Sequence, residues 1–135
     1  MLAEDFPKNC KVVVRKECFA IVKCRKSPSN AFAVIQDGRE ITVIIEQSKI
    51  QSEIGEDAIE IERGWKILTF DMTLPFELVG FLAKVSGALA EEGISIFVVS
   101  SYSTDHVLVR EEDVEKAIRK LEELGCVVVR ERRGI

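Results

Sequence analysis

From Trp65 onward the sequence predicts an α+β fold, with strands and helices in the order β-α-β-β-α-β. Such an order closes into a four-stranded antiparallel sheet with both helices on one face. Three observations predict it. Trp65 to Phe70 (WKILTF) alternates and is rich in β-formers. Two later stretches carry apolar residues at helical spacing, each ended by a glycine. Between them, Ile94 to Val99 (ISIFVV) is an unbroken apolar strand.

Each element follows in turn. Thr73-Leu74-Pro75 breaks the first strand, and Pro75 suits the first turn of a helix because its missing N–H would be unpaired there. From Phe76 the stripe Leu78, Leu82, Val85, Leu89 sets one buried face, and Gly93 ends the helix. The apolar strand Ile94 to Val99 is expected to be central or at a subunit contact. Ser100 to Asp105 is a polar turn, and His106 to Val109 the returning strand. Glu111, Glu112 and Asp113 place acids at the positive end of the second helix, whose stripe is Val114, Ile118, Leu121 and Leu124. Gly125 closes it, and Cys126 to Val129 is the last strand.

The first half reads as a reduced version of the second. Cys18 to Cys24 is a strand, with another expected at Val12 to Val14. Ser27 to Asn30 is a turn too short to hold a first helix. Ala31 to Ile35 and Glu40 to Ile45 form a hairpin across Asp37-Gly38, Ser48 to Ile54 a short helix and Ala58 to Glu62 a closing strand. The boundary falls at Arg63-Gly64, giving domains 1–63 and 64–135. Trp65 is expected to be a core anchor where the halves meet.

Composition narrows the function. Of 135 residues, 47% are hydrophobic and 31% charged, enough for a core and a solvated surface. The net charge of −4 argues against nucleic acid, whose binding rests on neutralising phosphates. The four cysteines form no CxxC and the single histidine is far from three of them, so no metal site is predicted. They read as buried, reduced thiols of a cytoplasmic protein. The N-terminus lacks the layout of a signal peptide, and no apolar run nears the ~20 residues that cross a bilayer. A phosphate-cradling loop, a cofactor motif and an RNA-stacking pattern are all missing, so no cofactor is expected. Ser103, Asp105 and His106 are nearly contiguous, whereas a catalytic triad converges from separated positions. His106 reads as a surface or strand-end residue, and the chain as a non-enzyme.

What remains is a place for a small zwitterion. A helix start at Pro75-Phe76 offers free N–H groups to a carboxylate, and the turn Ser101 to Asp105 offers an acid to an ammonium. The plainer reading is that Asp105 only shapes its turn.

Leu74 to Gly125 resembles the ACT domain family, most specifically at Gly93-Ile94-Ser95-Ile96-Phe97 and Ser101 to Val109. More narrowly, it is similar to small tandem-ACT proteins related to the regulatory part of aspartate kinase, and to the ACT repeats of cytosolic arginine sensors. The resemblance implies a ferredoxin-like βαββαβ module preceded by a degenerate ACT-like half. It also implies allosteric binding of an amino acid between two modules, in a homodimer or other homo-oligomer. The implied pocket takes Leu74, Pro75, Leu78, Gly80 and Phe81 from the helix start and Ser101, Tyr102 and Asp105 from the turn. Ser95 and Ile96 of a neighbouring module would add main-chain groups, and Asp105 would hold the ligand ammonium. The arginine-sensing relatives place an acid where this chain has Leu78. Glu77 is one helical step away, about 100° around the axis, so the resemblance points as much to a smaller or apolar amino acid as to arginine. The competing expectation is an interaction or oligomerisation module of this fold that binds no ligand.

Overall fold

The computed structural model describes residues 9–72 and 80–132. Two compact units divide the chain. One is residues 17–66; the other joins residues 9–16 to residues 67–132. This differs from a division at residue 63, because the N-terminal strand belongs with the second half of the chain.

In the unit of residues 17–66 an antiparallel sheet runs in the order β3-β4-β2-β5. Its strands are β2 (Phe19–Cys24), β3 (Ala33–Gln36), β4 (Ile41–Glu46) and the first part of β5 (Ala58–Phe70). Ala20, Val22, Cys24, Val43 and Ile45 line one face of the sheet. Ile50 and Ile54 from the single-turn helix α1 (Ile50–Glu53) and its end cover them. No helix stands between β2 and β3, as the short Ser27–Asn30 turn requires.

β5 is one strand of 13 residues, running through the expected boundary. The break in pattern at Arg63-Gly64 is a bulge: Ile21 faces Glu62 while Phe19 faces Trp65, so β5 carries an extra residue. Gly64 takes a left-handed φ of 82°, and its N–H donates to Gln47 Oε1 at 2.8 Å. Turn-like chemistry here therefore marks a kink inside a strand. Trp65, just beyond it, is buried.

In the second unit the order is β6-β7-β5-β1-β8. Here β1 is Lys11–Val14, β6 Ile96–Ser100, β7 Asp105–Arg110 and β8 Val127–Arg130. The expected four-stranded antiparallel sheet is thus corrected. β1 pairs antiparallel with the end of β5, taking the position a closing strand would fill, and β8 lies outside it in parallel. β1 fits there because Val12 and Val14 enter the core while Lys11 stays exposed. β6 pairs only with β7 among the described residues, so it is an edge strand, not a central one. Val98 accordingly remains exposed.

Both long helices cover one face of this sheet. α2 (Phe81–Glu91) buries Phe81, Val85, Ala88 and Leu89, and α3 (Val114–Glu123) buries Val114, Ala117, Ile118 and Leu121. Against them pack Val12, Val14, Leu68, Phe70, Val107 and Val109, alternate residues of three adjacent strands. Each buried Leu or Val contributes roughly 1.5–3 kcal/mol. Lys120 of α3 meets Glu91 at 3.3 Å, joining the two helices over the core. Glu111–Asp113 form a 3-10 turn leading into α3.

The cysteine expectation needs correcting. Cys10 and Cys126 are joined in a disulfide, 116 residues apart in sequence. Each immediately precedes one of the paired strands β1 and β8, with Val127 N–H donating to Cys10 O at 2.8 Å, and that register brings their Cα atoms to 4.6 Å. Cys24 is a buried thiol whose ionisation burial pushes up, with Asp57 adding to the effect; Cys18 is a partly exposed thiol.

Candidate functional site

The turn between β6 and β7 is built by its own polar side chains. Ser100 and Asp105 close the ladder opposite one another, and Ser100 Oγ donates to Asp105 Oδ1 at 2.6 Å. Ser101 N–H donates to Thr104 O at 2.8 Å, and Ser101 Oγ to the same carbonyl at 3.0 Å. The carboxylate is thereby aimed by its neighbours, with one of its oxygens engaged. Tyr102 at the tip is 83% exposed.

Strand alternation places Asp105 on the face of Val107 and Val109, the face the helices cover. α2 leads back to β6, so its first residues lie at the end of the sheet where the turn stands. Gly80 immediately precedes α2, with a left-handed φ of 88° and its carbonyl accepting from Lys84 N–H at 2.9 Å. A left-handed residue cannot sit inside a helix, so α2 opens at Phe81. The expected site residues Leu74, Pro75 and Leu78, and the helix start at Pro75-Phe76, lie outside the described residues.

The remaining expected residues separate. Phe81 is buried, packed edge-to-face on Phe70 with ring centres 5.2 Å apart, and so belongs to the core. Ser95 and Ile96 stand at the opposite end of β6 from Ser101, about 20 Å away at strand rise. One module therefore brings Gly80 and Asp105 to one end and one face, and leaves Ser95 and Ile96 at the other end. Two open cavities lie elsewhere. One of about 350 Å³ adjoins the β3–β4 hairpin, and one of about 220 Å³ lies between α2 and α3.

Of the two places expected for His106, surface or strand end, it takes the strand end, second in β7, and is not on the surface. It is only 7% exposed, on the face opposite Asp105, beside buried Thr69. Thr69 Oγ1 is 3.0 Å from His106 Nδ1, Ser101 Oγ is 3.4 Å from Nε2, and Arg15 Nε donates to Thr69 Oγ1 at 3.1 Å. Burial, then the Arg15 cation, push the His106 pKa below its ordinary value, with Asp105 partly opposing. This polar group was missed because it draws on Arg15 after β1, Thr69 of β5 and His106 of β7, far apart in sequence. The available signal was Thr69 standing between Leu68 and Phe70, and His106 opening the apolar run Val107 to Val109. Because Asp105 and His106 leave opposite faces, they do not converge with Ser103 on a reacting centre. Among the described residues no group of three or more His, Cys, Asp or Glu is placed to hold a metal.

Residues 60–123, which include β6, β7, both long helices and the turn, match the family model described as ACT domain. This segment is an ACT domain. The whole chain is similar in fold to a protein from Agrobacterium tumefaciens, with 23% identity, a TM-score of 0.80, and coverage of 96% of this chain and 98% of that one. It is also similar to a protein of unknown function from Vibrio cholerae, at 22% identity and a TM-score of 0.70, covering 87% and 91% of the two chains. The regulatory subunit of aspartate kinase from Thermus thermophilus, in a ligand-free form, aligns at 15% identity with a TM-score of 0.65, over 87% and 98%. No curated protein matches the sequence. The fold of this ACT domain is α+β and ferredoxin-like, with the N-terminal strand set into its sheet. Among the described residues, no helix is long and apolar enough to cross a membrane.

Proposed function

We propose that the chain is a regulatory module that binds a free amino acid at the β6–β7 turn of its ACT domain. The observation that carries this reading is the aimed carboxylate of Asp105. Ser100 holds one of its oxygens, and it lies on the face and at the end of the sheet where α2 begins. An ammonium is met by Asp105, and a carboxylate by main-chain N–H groups near the left-handed Gly80. Leu74, Pro75 and Leu78, which lie outside the described residues, are proposed as further contributors. Ser95 and Ile96 stand too far from the turn to serve it within one module, which supports a site shared between two modules and a homo-oligomeric assembly. The likeness in fold to aspartate kinase regulatory subunits supports the same reading.

Thermal-shift screening against the twenty amino acids tests it. A ligand at a hundred times its Kd stabilises the fold by about 2.7 kcal/mol. Asp105→Asn removes the charge and is expected to weaken binding roughly 10–100-fold. If folded protein shows no shift with any amino acid at millimolar concentration, the reading fails.

Two open strand edges favour a second reading, an oligomerisation module without a ligand. Among the described residues β6 and β8 each pair on one side only, and Val127 and Val129 of β8 are 65% and 43% exposed. Light scattering separates the two: an oligomer unaltered by every amino acid, together with an empty thermal screen, supports this second reading.

A further inference from the structure

We infer that His106 is a positioning residue, which holds the Ser101–Asp105 turn through a single directional chain of hydrogen bonds starting at Arg15. The chain's direction follows from donors and acceptors alone. Ser101 Oγ has one proton and gives it to Thr104 O, so toward the ring it only accepts. Nε2 must therefore carry the imidazole proton. At the other side Arg15 Nε only donates, so Thr69 Oγ1 accepts from it and is left to give its own proton to Nδ1. Along this chain the protons run from Arg15 to Thr69, Thr69 to His106, His106 to Ser101 and Ser101 to Thr104.

The arrangement suits only a neutral ring in the Nε2–H tautomer. A second proton, on Nδ1, would point at a Thr69 oxygen that already accepts from a guanidinium. Thr69 would then have to turn its own proton elsewhere in a buried site. Among the described residues the ring meets Arg15 just after β1, Thr69 of β5, Val99 of β6 and Ser101 of the turn, with Asp105 beside it on β7. Arg15 is the one cation among them, and it opposes a charged ring. The consequence for binding rests on the proposed ligand site. A ring that charges as pH falls sets a cation next to the residue that meets the ligand ammonium, so acid both unsettles the turn and opposes the ligand.

The chain holds a single histidine, so its ring can be read without ambiguity in the intact, ligand-free protein. Long-range proton–nitrogen NMR on uniformly labelled protein is expected to show the neutral Nε2–H pattern at pH 7.5. One titration midpoint below 6.5 should follow, shared by the Ser101 and Thr104 amides. Thr69→Val should mix the tautomers and shift the Ser101 amide, although residue 69 is 32 positions away. His106→Gln, which keeps a donor for Ser101, should leave the turn amides near their wild-type shifts and abolish their titration. His106→Leu should displace them. An Nδ1–H ring at pH 7.5, turn amides that ignore the ring's titration, or equal shifts in the Gln and Leu variants would each overturn the inference. None of these readings involves a ligand, so a failed amino-acid screen leaves them standing.

Discussion

Asp105 and His106 are chain neighbours that do opposite things, because a strand sends successive side chains to opposite faces. Asp105 is half exposed and aimed by Ser100; His106 is buried and held by Thr69. The histidine gives the fold a predictable pH dependence. Its pKa in the folded protein lies below the ordinary 6.5 of the unfolded chain, through burial first and Arg15 second. As pH falls, the unfolded chain takes up this proton before the folded one does. The contribution is therefore complete above about 6.5 and is lost as pH drops toward the folded pKa. Urea midpoints at pH 7.5 and 5.5 should differ more for the wild type than for His106→Gln; equal differences would show that the ring contributes nothing. Asp105 could be singled out from sequence because a polar turn between two apolar strands is a local pattern. The role of His106 could not, since its partners Arg15 and Thr69 are 91 and 37 positions away.

Among the elements, α3 was the most legible. Its stripe of Val114, Ile118 and Leu121 is buried as the spacing predicts, because one helical face is decided within four turns of chain. Leu121→Ala should cost about 2–5 kcal/mol by chemical denaturation. β5 was legible as strand but not as one strand, since Gly64 reads as punctuation. Its φ of 82° makes Gly64→Ala a clean test: an added Cβ meets nothing within 4 Å, so the expected loss of about 1–2 kcal/mol is backbone strain alone. An unchanged midpoint would mean that the bulge relaxes. The start of α2 at Phe81 was not legible, because Gly80 sets it by conformation and not by polarity. Among the described residues β6 is an edge and not a central strand, and an apolar run alone does not distinguish the two.

For the whole molecule, the order of elements was readable and the closure of the sheet was not. Local patterns identify Val12 to Val14 as a strand, but which half receives it depends on pairing with residues 68–70 and 127–130. Two tests follow. A fragment of residues 64–135, the module as drawn from sequence, lacks β1 and should give no cooperative unfolding transition; a fragment that melted like the full chain would show β1 to be dispensable. The disulfide closes a loop of more than a hundred residues, and chain entropy alone allows it up to about 5 kcal/mol. Reduction, or Cys10→Ser, should lower stability by about 2–5 kcal/mol, read as the shift in urea midpoint. Setting the first strand between β5 and the last strand also fixes an order of events at the ribosome. Residues 17–66 can form their sheet while the rest is still being made. The first strand, although synthesised before them, waits for Phe70 before β5 can pair with it, and for Arg130 before the last strand can. At 5–20 residues per second that wait is several seconds, during which an apolar Val-Val-Val edge needs protection by the exit tunnel or a chaperone.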